Sequence, residues 1–112
     1  MPTVPEPSWK RHERQVAQLL GGRRQPNIGR PSPDVLSPRW ACEVKLRSRL
    51  PLWLERALNQ AVEDATMGRL PLVVIVCPQG RGKKARRYAF LPLEALVSWG
   101  RESDDKKEVG DP

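Results

Sequence analysis

Residues Pro33-Asp34-Val35-Leu36-Ser37-Pro38-Arg39-Trp40-Ala41-Cys42-Glu43-Val44-Lys45-Leu46 read as two short strands around a tight turn. Asp34 to Ser37 forms the first strand, Pro38-Arg39 the turn, and Trp40 to Leu46 the second. Side chains alternate along a strand, so Trp40, Cys42, Val44 and Leu46 face one way, and Ala41, Glu43 and Lys45 the other. A polar strand face in water is the simplest account of Glu43 and Lys45 taken alone. Pairing around Pro38-Arg39 changes that, because it carries Asp34 toward Glu43. Two carboxylates brought together repel unless a cation lies between them.

Working outward, the preceding segment from Ser8 to Leu20 has Trp9, Val16, Ala17 and Leu20 at helical spacing, with Ser8 as a cap and Gly21-Gly22 as a stop. Arg23 to Pro33 is rich in Arg, Pro and Gly and reads mainly as a basic loop, opening with a short strand. After the two strands, Pro51 suits the first turn of a helix whose apolar stripe is Leu54, Leu58, Ala61, Val62 and Ala65. Leu70 to Cys77, with Val73-Val74-Ile75-Val76, reads as a strand buried on both faces. A glycine-containing cationic turn follows, then a strand over Arg86 to Leu91. Pro92 opens a last helix through Leu93, Leu96, Val97 and Trp99. This order predicts an α/β fold, a mixed β-sheet flanked by helices. Residues 1–7, with three prolines, predict a disordered lead-in. Residues 8–100 predict one domain, and the charged residues 101–112 a flexible tail.

Hard oxygen donors such as Asp34 and Glu43 suit Mg²⁺, which usually takes one or two carboxylates and keeps several waters. Lys45, on the Glu43 face, can orient a water or steady a phosphate. A third carboxylate comes from the first helix. With Trp9 at zero on a helical wheel, Glu13 falls at about 40°, between Leu20 at about 20° and Ala17 at about 80°. A carboxylate inside an apolar arc is costly unless it is paired or bound to metal. Three accounts follow: a metal ligand, a side chain that reaches the rim, or a buried ion pair with Arg14 or Arg23.

Pro33-Asp34, eight intervening residues and Glu43-Val44-Lys45, with an upstream helical Glu13, resemble the signature of the PD-(D/E)XK nuclease superfamily. The Glu13-Arg14 pair, the small size and the basic loop before Asp34 are most similar to archaeal-type Holliday junction resolvases, a group that also occurs in phages. The similarity runs from about Ser8 to Trp99. It implies a restriction-endonuclease-like fold and a nuclease domain over residues 8–100. It implies phosphodiester hydrolysis with Mg²⁺, for which Mn²⁺ can substitute, bound by Asp34, Glu43, Glu13 and the Val44 carbonyl, with Lys45 catalytic. A loop serine is implicated in catalysis in that group; Ser32 is the sole serine of this loop, and it sits close to Asp34. Gln60 fits a helical glutamine of the superfamily, and equally a solvated helix residue.

Composition agrees with a nucleic-acid partner. The 112 residues include 20 Lys and Arg against 13 Asp and Glu, for a net charge of +7. Such a balance favours a polyanion. Cations cluster at Arg14, Arg23, Arg24 and Arg30 before the strand pair, at Lys45, Arg47 and Arg49 after it, and at Arg81, Lys83, Lys84, Arg86 and Arg87 in the late turn. No zinc-finger or helix-turn-helix pattern is present, and one Phe and one Tyr are too few for single-strand stacking. Backbone contact and recognition of DNA shape remain; the resemblance to the resolvases implies that the partner is branched DNA, a four-way junction resolved by paired symmetric nicks. A restriction, repair or replication nuclease acting on duplex, flap or branched DNA is the alternative, and a catalytically silent DNA-binding scaffold a third account. Two equivalent strands call for a homodimer; Leu52, Trp53, Leu93, Leu96, Val97 and Trp99 offer apolar surface for it. Cys42 and Cys77 lack metal-site spacing and read as reduced thiols. No apolar run spans a membrane, no secretory pattern opens the chain, and no small-molecule cofactor is indicated, which predicts a cytoplasmic protein, in the host cytoplasm if phage-encoded.

Overall fold

The computed structural model describes residues 8–26 and 32–110, with side chains to residue 104. Three α-helices and five strands form two compact units, Met1–Ser48 and Arg49–Pro112. The class is mixed α/β, and the described strands pair only antiparallel, in a three-stranded and a two-stranded sheet. The boundary at Ser48 falls within the span read from the sequence as one domain.

In the first unit, α1 (Ser8–Leu20) packs on β1 (Arg23–Arg24) and β2 (Val35–Leu36), and β3 (Ala41–Cys42) completes the sheet in the order β1-β2-β3. The double glycine ends α1 as expected. Gly21 has φ 67°, and the Gly21 and Gly22 amides donate to the Gln18 and Ala17 carbonyls at 3.3 and 2.8 Å. This is the Schellman arrangement, in which a left-handed residue lets two late carbonyls find donors. β2 and β3 form the expected hairpin, with Val35 opposite Cys42 and Leu36 opposite Ala41. Ser37 closes its turn: the Trp40 amide donates to Ser37 Oγ at 2.9 Å, and the Ser37 amide to the Trp40 carbonyl at 2.9 Å. Val35, 0% exposed, is the centre of this unit's core, with Ala17 of α1 also buried.

In the second unit, α2 (Leu52–Asp64) starts at Pro51, whose carbonyl accepts from the Leu54 and Glu55 amides, both at 3.0 Å. Pro51 is thus the cap rather than a residue of the first turn. Leu54 is buried and Leu58, Ala61 and Ala65 are half-buried, but Val62 points outward. β4 (Val73–Cys77) pairs with β5 (Arg86–Phe90). β4 alternates between half-buried and exposed residues, with Val74 52% exposed. The burial on both faces expected of Val73-Val74-Ile75-Val76 is therefore not met: the strand has one covered face. α3 (Leu93–Gly110) runs through the segment expected to be a loose tail.

Candidate active site

Asp34, Glu43, Val44 and Lys45 lie at the open end of the β2–β3 hairpin. One further step of the register sets Asp34 opposite Glu43. Directly opposed like charges are unfavourable unless a cation or donor intervenes. One donor is in place: the Val44 amide donates to Asp34 Oδ2 at 2.8 Å. The Asp34 carbonyl accepts from the Gln25 amide at 2.8 Å, so the residue is held from both neighbouring strands. Hydrogen bonds to a carboxylate from backbone N–H are charge-assisted and strong. Beyond β3 the alternation continues without ladder pairing. Cys42 and Val44 are half-buried, and Glu43 and Lys45 are exposed.

The Cys42 thiol senses this cluster. Burial raises its pKa from the ordinary 9.0, and the negative charges of Asp34 and Glu43 raise it further. A thiol beside two anions is harder to ionise, because the thiolate would be a third negative charge. Both carboxylates thus lie near Cys42, and their oxygens are donors suited to a hard divalent cation.

Glu13 has a cationic partner within the chain. It is buried, 7% exposed, on α1, and Arg24 Nε donates to Glu13 Oε2 at 2.6 Å. The Arg24 guanidinium also lies 5.4 Å from the centroid of the Trp9 ring, and Lys10 Nζ lies 5.4 Å from the same ring. Of the accounts of Glu13, a buried ion pair is the one observed, and the partner is Arg24. Alternation on β1 explains the choice. Arg24 is opposite the core residue Val35 and turns toward α1, whereas Arg23 is opposite the exposed Leu36. Among the described residues, no three His, Cys, Asp or Glu side chains gather closely enough to hold a metal ion. The site as folded thus offers Asp34, held by the Val44 amide, with the exposed Glu43 next to Val44, while Glu13 is paired with Arg24.

The remaining sequence candidates are spread over both units. Arg14, Arg23, Ser32, Arg47 and Arg49 are exposed in or next to the first unit, and Arg47 Nη1 donates to the Leu46 carbonyl at 2.8 Å. Arg30 lies outside the described residues. In the second unit Arg81, Lys83 and Lys84 are exposed. Gln60 is exposed, and its Nε2 donates to Asp64 Oδ1 at 3.1 Å, one helical turn away, the geometry of a solvated helix residue. Gln25 and Cys42 are the neighbours of Asp34 that sequence reasoning passed over. Gln25 lay in a segment without periodicity, so nothing local marked its register. Comparison of the chain with protein-family models, with curated proteins and with solved structures gives no match.

Proposed function

We propose that the protein is a Mg²⁺-dependent, structure-specific endodeoxyribonuclease with a restriction-endonuclease-like fold, acting as a homodimer on four-way DNA junctions. The observation that supports this best is the Asp34 carboxylate, fixed by the Val44 amide and set opposite Glu43, with Lys45 exposed on the Glu43 face. Asp34, Glu43 and the Val44 carbonyl would hold Mg²⁺, for which Mn²⁺ can substitute. That ion supplies a more acidic water and a counter-charge for the phosphate. The Val44 amide holds the Asp34 carboxylate and the Gln25 amide its backbone carbonyl, so the carboxylate needs little reorganisation to face a cation. Lys45 donates to the attacking water or to a phosphate oxygen on the exposed face. Glu13, once Arg24 is drawn away to a phosphate, is the further carboxylate. Exposed cations of both units, Arg14, Arg23, Arg47, Arg49, Arg81, Lys83 and Lys84, follow the DNA backbone. Exposed Leu52, Trp53 and Trp99 are the apolar surface for a second copy; Leu93, Leu96 and Val97 are half-buried and contribute less.

The same carboxylate pair would serve a restriction, repair or replication nuclease, because it addresses phosphate and reads no base. Junction, linear duplex and flap substrates incubated with Mg²⁺ or with EDTA separate the readings. Symmetric nicks confined to the junction support the proposal. Equal cutting of all three replaces it with the broader nuclease. Metal-independent binding without cutting, unchanged by Asp34→Asn, leaves a DNA-binding scaffold.

A further inference from the structure

The β4–β5 hairpin ends in a turn whose tip is Gly80-Arg81-Gly82-Lys83. The Lys83 amide donates to the Gly80 carbonyl at 3.1 Å, and Gly82 has φ 76°, the left-handed value that a type II turn requires at its third position. A Cβ on Gly82 would meet no atom within 4 Å, so backbone conformation and not crowding calls for glycine there. The turn carries Arg81, Lys83 and Lys84, and β5 begins with Arg86 and Arg87; all five side chains are exposed. No Asp or Glu occurs in residues 65–93, so the hairpin holds no acid of its own to neutralise them.

The register distributes these charges in space. Arg86 is opposite Cys77 and Arg87 opposite Val76. Successive residues of a strand point to opposite faces, so Arg86, on the half-buried face of Cys77 but itself exposed next to the turn, and Arg87, on the open face of Val76, flank the ribbon while Arg81, Lys83 and Lys84 crown its tip. A planar anionic surface meets one face of such a ribbon. A duplex groove has a row of phosphates on each wall, and a major groove about 12 Å wide admits a two-stranded ribbon. From this arrangement we infer that the β4–β5 hairpin is a groove-entering ribbon for double-helical DNA, with Arg86 and Arg87 directed to opposite phosphate walls. The inference rests on the proposed nuclease reading for the choice of DNA as the polyanion. None of its residues belongs to the carboxylate cluster, so binding tests it without cleavage.

The experiment measures binding of the full chain to a linear DNA duplex in EDTA, by fluorescence anisotropy across a salt series. Each neutralised phosphate contributes about −0.9 to the slope of log K against log salt. Arg81→Ala/Lys83→Ala/Lys84→Ala should therefore flatten the slope by about 2.7, and Arg86→Ala and Arg87→Ala by about 0.9 each. A charge-matched control, Arg56→Ala/Arg69→Ala/Arg101→Ala, should leave most of the slope. Circular dichroism melts establish that each variant is folded. An unchanged slope in the triple variant, or a control that flattens it equally, overturns the inference. A response to only one of Arg86→Ala and Arg87→Ala overturns the two-walled groove, as does tighter hairpin-dependent binding to phosphatidylserine vesicles than to the duplex. Metal-dependent cutting without hairpin dependence sinks this inference alone, whereas hairpin-dependent binding without cutting sinks the nuclease reading alone.

Discussion

Glu13 of α1 and Arg24 of β1 form a charge-assisted hydrogen bond, Nε to Oε2 at 2.6 Å, across the interface that joins helix to sheet in the first unit. Glu13 is the one buried charged residue among the described residues, and Arg24 offsets the cost of removing it from water. Trp9 receives the guanidinium on its ring, so two side chains of α1 converge on one cation of β1.

Arg24→Met should leave the Glu13 carboxylate buried without its partner. The pair is partly solvated, so the expected loss is about 2 kcal/mol, below that of a fully buried pair. Glu13→Leu/Arg24→Met removes both charges and should recover most of it. Urea denaturation midpoints of the single and double variants check this; a double variant no more stable than Arg24→Met contradicts it.

Asp34→Asn and Asp34→Ala should separate structure from chemistry. Asn retains an oxygen that accepts from the Val44 amide, so its stability should stay within about 0.5 kcal/mol of the wild type. Ala strands that amide and should cost about 1 kcal/mol. Under the proposed function both variants lose junction cleavage by at least about a hundredfold, since each removes a carboxylate from the cation. Thermal melts beside a single-turnover cleavage assay give the two readouts; full cleavage by Asp34→Asn rejects the role.

Gly22→Ala should destabilise strongly although Gly22 has no left-handed φ. A Cβ there would lie 2.4 Å from the Leu36 carbonyl oxygen and 2.8 Å from Ser37 Cβ. Backbone at the end of β2 has to shift, at a cost of about 2 kcal/mol. Gly21→Ala faces no neighbour and is penalised instead by its φ of 67°, by about 1 kcal/mol. A thermal-melt series showing Gly22→Ala as the milder change would contradict this order.

Cys42 sets a pH dependence. Its folded pKa is raised above the ordinary 9.0, first by burial and then by Asp34 and Glu43. Above pH 9 the unfolded chain gives up the proton first and binds fewer protons than the native chain. Stability is therefore unaffected below that pH and falls as pH rises from 9 through the folded value. Cys42→Ser should abolish that part of the alkaline fall, measured by urea midpoints in EDTA. Alkylation of Cys42 by iodoacetamide should follow the same raised pKa; a rate profile with an ordinary thiol midpoint refutes it.

Much of the site was legible along the chain. The two-residue period of Cys42 to Lys45 predicted which side chains point inward, and Gly21-Gly22 predicted the end of α1. These features are local, because backbone geometry alone fixes strand alternation and the need for a left-handed residue at a helix end. The Glu13 partner was not legible, although the apolar arc showed that it needed one. Arg14, Arg23 and Arg24 are near in sequence and alike in charge, and only the pairing of β1 with Val35 turns Arg24 toward the helix.

By itself, then, the sequence determined the element order, the helix stop and the hairpin turn. The tertiary structure alone decided that Val44 donates to Asp34, that Arg24 holds Glu13 and that the apolar run of β4 has one open face. It also set Arg86 opposite Cys77 and Arg87 opposite Val76. Each of these depends on register between segments distant in the chain. Register is set by cooperative packing and hydrogen bonding, and no single stretch of residues encodes it.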